Sequence, residues 1–230
     1  YGIELELQIN HPDYNPNEKN FDSARATEFK QNLAGMILNK VYPRSAILKH
    51  DGTVGYGFEF VTAPATFKAH QVLWEQVFMY AFKVGTTRFN LSDRCGMHIH
   101  VSRDSLTNLQ IGKMMAFVYE PKNREFIYKI AERPNNEYSD LNLNKKITDV
   151  LKPSGTKYEA INLNNKHTVE IRIFQAPVTK ERFFKNLEFF DCLIEFVKNH
   201  SIAVSNDLQT FLKYVKENKD TYPNLNRFLN

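Results

Sequence analysis

Gly96-Met97-His98-Ile99-His100-Val101-Ser102 is the stretch from which the rest of the chain can be read. Alternate side chains of an extended strand point to opposite faces. Met97, Ile99 and Val101 therefore share one face, and His98 and His100 share the other. Three further stretches repeat the pattern. In segment 2–10, Ile3, Leu5, Leu7 and Ile9 alternate with Glu4, Glu6, Gln8 and Asn10. In Gly57-Phe58-Glu59-Phe60, Glu59 opposes two aromatics, and in Val169-Glu170-Ile171-Arg172-Ile173, Glu170 and Arg172 oppose three aliphatics. Strands with one apolar and one polar face belong to an antiparallel sheet covered on one side only.

The remaining segments supply that cover. Residues 23–39 read as a helix with Phe29, Leu33 and Met36 on one stripe, and residues 66–83 as a helix N-capped by Thr66. Ser105 is expected to cap a helix running to Tyr119, and Pro121 to open another that ends near Glu132. Residues 180–198 carry Phe183, Leu187, Phe190, Ile194 and Val197 at spacings of three and four, the pattern of an amphipathic helix. Residues 45–49 and 54–62 form an expected hairpin around Asp51-Gly52-Thr53. A second joins 157–164 to 168–175 through Asn164-Asn165-Lys166-His167. The fold class expected is α+β: an antiparallel β-sheet with a polar, metal-binding face and helices packed on the other face. No repeat, low-complexity tract or Gly/Ser linker interrupts the chain, so one domain spanning residues 1–230 is expected.

Bulk properties narrow the class of function. The 230 residues are 42% hydrophobic, which fits a packed core rather than a disordered chain. The net charge is +4 with no clustered basic patch, so nucleic-acid binding has no strong signal. Two cysteines, Cys95 and Cys192, are too few for a disulfide framework. They suit a reduced, cytoplasmic setting. No apolar run approaches the ~20 residues of a membrane span, and no signal-peptide pattern opens the chain. It begins in mid-strand at Tyr1, which suggests further residues upstream.

If the four strands share one sheet, a single surface carries Glu4, Glu6, Glu59, His98, His100, Glu170 and Arg172. An ordinary wet face mixes in Lys, Thr and Ser, and none of these positions is Lys. Clustered carboxylates repel one another unless a cation sits among them. Hard divalent ions are the natural neutralisers of carboxylate oxygens, and neighbouring histidines tolerate Mg²⁺ or Mn²⁺. Each motif alone has a plain reading. Glu-x-Glu is common on exposed strands, His-x-His is as often a structural pair as a ligand pair, and Glu-x-Arg is usually a cross-strand ion pair. The joint occurrence carries the argument. Cys95 has no Cys-x-x-Cys partner, which argues against zinc. Asn162 and Asn164 share a face before Glu170 and read either as amides facing the same cleft or as turn formers. Arg133 and Tyr138 flank a Pro-Asn-Asn loop, and the polar stretch 134–156 is a candidate for substrate contact.

The ordered series Gly2-Ile3-Glu4-Leu5-Glu6, Asp51-Gly52-Thr53, Gly57-Phe58-Glu59-Phe60-Val61-Thr62-Ala63-Pro64, Gly96-Met97-His98-Ile99-His100-Val101, Asn162-Leu163 and Thr168-Val169-Glu170-Ile171-Arg172-Ile173-Phe174 resembles the amidoligase family. That family belongs to the glutamine synthetase-like carboxylate–amine ligases, and the His-x-His run is similar to the corresponding strand of glutamine synthetase. The blocks span most of the chain, from Gly2 to the helix ending near Lys198. Where the family often has Gly-Thr after its Glu-x-Arg strand, this chain has Ala176-Pro177, which bears on the amine-side pocket.

The resemblance implies an ATP-dependent ligase that forms an amide through an acyl phosphate. It implies that Glu4, Glu6, Glu59, His98 and Glu170 hold two or three Mg²⁺ ions, or Mn²⁺, around the ATP phosphates. His100 would lie near the phosphates, Arg172 would stabilise the transferred phosphoryl group, Arg133 would be a further phosphate contact, and Asn162 would be a further cofactor-binding residue in the cleft. The partners implied are a carboxylate and an amine, from a small molecule, a peptide or a protein side chain; oligomeric state is open. Two other readings of the residues remain: a metal-dependent hydrolase using the same Glu/His set, and an inactive binding protein that kept the fold.

Overall fold

The computed structural model describes residues 1–9, 24–39, 44–51, 54–79, 89–90, 95–133, 140–141, 151 and 158–230. The chain divides into two compact units. The first is Tyr1–Met97 with Ala176–Lys180, and the second is His98–Gln175 with Glu181–Asn230.

In the first unit the elements are β1 (Gly2–Ile9), α1 (Ala24–Leu38), β2 (Ala46–Lys49), β3 (Gly57–Thr62), α2 (Phe67–Val77) and β4 (Phe89–Asn90). The strand order is β2-β3-β1, with β4 paired to the end of β1, and every one of these pairings is antiparallel. The alternation of β1 is obeyed: Ile3, Leu5, Leu7 and Ile9 are all buried. Leu5 and Leu7 pair with Phe60 and Phe58, which puts the apolar residues of both strands on one face. Helix α2 covers that face, with Trp74 against Phe60 at a ring separation of 5.0 Å. Thr66 caps α2 as expected, its hydroxyl accepting from the Ala69 amide at 3.2 Å.

Strand β5 (Gly96–Ser102) leads into the second unit. There follow α3 (Asn108–Tyr119), α4 (Arg124–Ala131), β6 (Ile161–Asn162), β7 (Thr168–Gln175), α5 (Lys180–Asn199), α6 (Leu208–Glu217) and α7 (Pro223–Leu229). The order here is β5-β7-β6. Arg103 donates its amide to the His167 carbonyl at one end of β5/β7, and Ala176 to the Cys95 carbonyl at the other, so this pair too is antiparallel. Phe174 meets Phe189 of α5 edge-on at 6.0 Å. Phe117, Phe126, Phe196 and Phe211 join Phe189 in one aromatic core among the helices. The fold is α+β with antiparallel strand pairing, and among the described residues no helix is long and apolar enough to cross a membrane.

Three expectations need correction. Helix α3 is capped by Thr107, not Ser105: Thr107 and Gln110 form a reciprocal capping box, which satisfies two amide donors where Ser105 would satisfy one. The extended run at 157–164 yields a strand of only two residues, Ile161–Asn162. Helix α5 is not amphipathic in the simple sense. Its expected stripe is buried, but so are Lys185, Asn186 and Glu188 on other sides of the helix. The reason lies downstream, where the segment from Tyr222 to Phe228 covers that side. The loop expectation at 134–156 falls almost wholly outside the described residues.

Candidate functional site

The first unit gathers carboxylates. Glu4 and Glu6 project from β1 on the side away from Leu5 and Leu7. Glu59 of β3 is the direct cross-strand partner of Glu6, and Lys49 of β2 is the partner of Glu59 on the other flank. The close approach of β3 to β1 depends on Gly57. A Cβ there would fall 2.0 Å from the Leu7 carbonyl oxygen, closer than any real contact. Asp51, just beyond β2, joins the group: one carboxylate oxygen each from Glu6, Asp51 and Glu59 lie within 4.8 Å of one another. Glu6 is buried, and its Oε2 accepts the Gly96 amide at 2.6 Å.

Electrostatics follow from that crowding. Burial of the half-covered Glu59 side chain, reinforced by Glu4 and opposed by Lys49, with Glu6 and Asp51 adding like charge, pushes its carboxyl up to about 7. A donor set of carboxylate oxygens fits a hard divalent cation such as Mg²⁺ or Mn²⁺, and lacks the soft ligands that select zinc or copper. In the sequence Asp51 reads as a turn residue within one of the blocks of the resemblance, with no ligand role assigned to it. The signal for its role is its place beside Lys49, which the hairpin carries past Glu59.

The second unit gathers a mixed set around Glu170. This carboxylate is 5% exposed. Its Oε1 accepts a short hydrogen bond from Arg172 Nη1 and lies 3.6 Å from His98 Nδ1 and 3.9 Å from His100 Nε2. Its Oε2 accepts from Asn162 Nδ2 at 2.7 Å. Arg172 Nη1 also lies 3.4 Å from His98 Nδ1, and His100 Nδ1 lies 3.3 Å from the Thr168 hydroxyl. Strand parity explains the convergence: Glu170 and Arg172 are two apart on β7, His98 and His100 are two apart on β5, and Asn162 faces Glu170 across β6/β7. The Arg172 guanidinium keeps a buried Nε–H with no partner among the described residues. A planar donor fork of this kind suits a phosphate or carboxylate.

The sequence-derived residues thus fall into two groups, each described within its own unit. Glu4, Glu6 and Glu59 belong to the first, joined by Asp51. His98, His100, Glu170, Arg172 and Asn162 belong to the second. Arg133 is buried just past α4, after Glu132 in the left-handed conformation. Its loop neighbours up to Tyr138 lie outside the described residues.

No protein-family model and no curated protein matches this sequence. Among solved structures, the chain is similar to one described as the complex between the prokaryotic ubiquitin-like protein Pup and its ligase PafA. The TM-score is 0.41 and the identity 15%, over 90% of this chain and 49% of that one. The chain therefore spans about half the length of that neighbour. At this distance the likeness carries no chemistry across.

Proposed function

We propose that the chain is an ATP- and Mg²⁺-dependent carboxylate–amine ligase. One observation supports this most: carboxylate oxygens of Glu6, Asp51 and Glu59, from β1, the β2 turn and β3, lie within 4.8 Å of one another. Folding has no use for such repulsion, and a phosphate-bound divalent cation does. The sequence resemblance to the amidoligases adds the nucleotide.

In this reading Glu4, Glu6, Glu59, His98 and Glu170 are the residues that would hold two or three Mg²⁺ ions, with Asp51 added to the set. Bound Mg²⁺ would screen the phosphate charges. Phosphoryl transfer asks the protein for positioning and charge stabilisation rather than a nucleophilic side chain. Arg172 offers donors to the transferred phosphoryl oxygens, while its bond to Glu170 fixes the direction of the guanidinium. His100, steadied by Thr168, would lie beside the phosphates, and Arg133 would add a further phosphate contact. The substrate carboxylate oxygen attacks the γ-phosphorus as the bond to ADP breaks, giving an acyl phosphate. The amine nitrogen then attacks the acyl carbon, inorganic phosphate leaves, and the nitrogen loses a proton as the amide forms.

The test needs no knowledge of the substrates. Calorimetric titration of a non-hydrolysable ATP analogue, with and without Mg²⁺, should give binding only with the metal. Arg172→Ala should weaken it by on the order of 10-fold, the scale of one hydrogen bond to a charged group. Nucleotide-independent hydrolytic turnover by a metal-loaded protein would favour a hydrolase instead.

A further inference from the structure

Asn162 directly faces Glu170 in the β6/β7 pair. It is 6% exposed, and both ends of its amide are in use. Oδ1 accepts the Asn164 amide at 2.9 Å, and Nδ2 donates to Glu170 Oε2 at 2.7 Å. These two bonds fix the flip of the amide. Turning it over would aim two donors at each other on one side and two acceptors on the other. The end facing Glu170 is therefore a donor, and Glu170 is its acceptor. With Arg172 on Oε1, each Glu170 oxygen accepts one hydrogen bond among the described residues and keeps a lone pair for a ligand.

The platform under Asn162 is pinned as well. Strand β6 has only two residues and is held from three directions. The Ile161 amide donates to the buried Tyr119 hydroxyl oxygen at 3.0 Å. The Arg172 amide donates to the Ala160 carbonyl at 2.9 Å, and the Ala160 amide to the Asp140 carbonyl at 3.0 Å. A strand this short has only two paired positions to hold it, so these bonds help to set where Asn162 stands.

We infer that Asn162 is a positioning residue: it holds the Glu170 carboxylate in one orientation and acts on the bound metal–nucleotide only through Glu170. This rests on the ligase reading for what Glu170 binds. A direct contact from Asn162 to the nucleotide would use its second Nδ2 hydrogen or its second Oδ1 lone pair, and would persist when Glu170 is replaced. Outer partners that orient a ligand carboxylate typically matter by 10–100-fold in metal affinity.

A double-mutant cycle separates the two roles. The readout is the calorimetric dissociation constant of Mg²⁺·ADP for wild type, Asn162→Ala, Glu170→Gln and the double variant. Asn162→Ala should weaken binding about 10-fold or more in the wild-type background and hardly at all once Glu170 is Gln. Equal loss on both backgrounds overturns the inference. Thermal unfolding of the same variants separates a merely structural role, which predicts that binding falls only where the fold is lost, from the positioning role, which predicts weakened binding by Asn162→Ala in protein that is still folded. If wild type binds no nucleotide, the ligase reading falls, and the cycle is repeated with Mn²⁺ alone. Coupling there upholds the positioning role; no coupling, or no Mn²⁺ binding, overturns it.

Discussion

Two of the described regions bury charge in opposite ways. On α5, Lys185, Glu188 and Asp191 recur every three residues, and each meets its own partners. Lys185 reaches Glu132 at 3.1 Å and the Ile130 carbonyl, and it sits 4.6 Å from the Phe228 ring centroid. Glu188 accepts from the Leu225 amide at 2.7 Å and from Asn224 Nδ2 at 2.6 Å, capping a helix whose own N-cap residue, Tyr222, makes no side-chain capping bond. Asp191 accepts from the Tyr222 hydroxyl at 3.0 Å. On β1 and β3 the carboxylates of Glu6 and Glu59 face each other and Asp51 instead. Charges with complementary partners of their own seat a helix. Like charges this close, even with Lys49 opposite Glu59 and the Gly96 amide on Glu6, form a donor set that suits a divalent cation.

That contrast can be broken most severely at Gly57. Gly57→Ala should lose about 3 kcal/mol of stability, because the new methyl group meets backbone rather than a yielding side chain. It should also weaken Mn²⁺ binding, since it disturbs the pairing that sets Glu59 opposite Glu6. Chemical denaturation and a metal titration on the same sample check both.

Glu188→Ala comes next. It strands the Leu225 amide and should cost about 2 kcal/mol, the scale of hydrogen bonds to a charged group, with metal binding unchanged. A lower denaturation midpoint with unaltered Mn²⁺ affinity is the expected pair of results.

Smaller effects sharpen the comparison through pH. Burial, against the pull of Glu132, lowers the Lys185 ammonium to about 8. The unfolded chain therefore binds more protons between about 8 and the usual 10.5, and this group makes stability rise with pH across that window. Lys185→Met should remove that rise, as read by thermal unfolding over the same range. Glu59 has the opposite sign. Its folded value near 7 exceeds the usual 4.5, so its stabilising contribution is complete below about 4.5 and lost as pH rises through 7. Glu59→Gln should flatten that loss in metal-free protein, and Mg²⁺ should flatten it in wild type. The half-exposed position makes this the smallest of the four.

Much of this was legible in the sequence. Alternation in 2–10, 57–60, 96–102 and 168–175 gave the strands and which residues share a face. What periodicity does not reveal is what comes to lie on a face. The polar side of α5 reads as solvated until Asn224, Leu225 and Phe228 arrive from over thirty residues downstream. Asp51 reads as a turn residue, because nothing local places its carboxylate beside Glu59. Asn162 reads as one amide among several, because its partner is set by the register of a two-residue strand. The Thr107/Gln110 capping box, by contrast, was present in the local sequence and outweighs Ser105 on the number of amides satisfied.

The central claim is that the crowded carboxylates of β1, β3 and the β2 turn hold a divalent cation. Titration of Mn²⁺, followed by the electron paramagnetic resonance of the free ion, tests it most directly at pH 8. The expected result is specific binding by wild type that Glu6→Gln weakens by on the order of 10²-fold while the fold stays intact, and that fades as pH falls below about 7, where the ion must compete with the Glu59 proton. Binding that is absent in wild type, or indifferent to Glu6→Gln, would contradict the account.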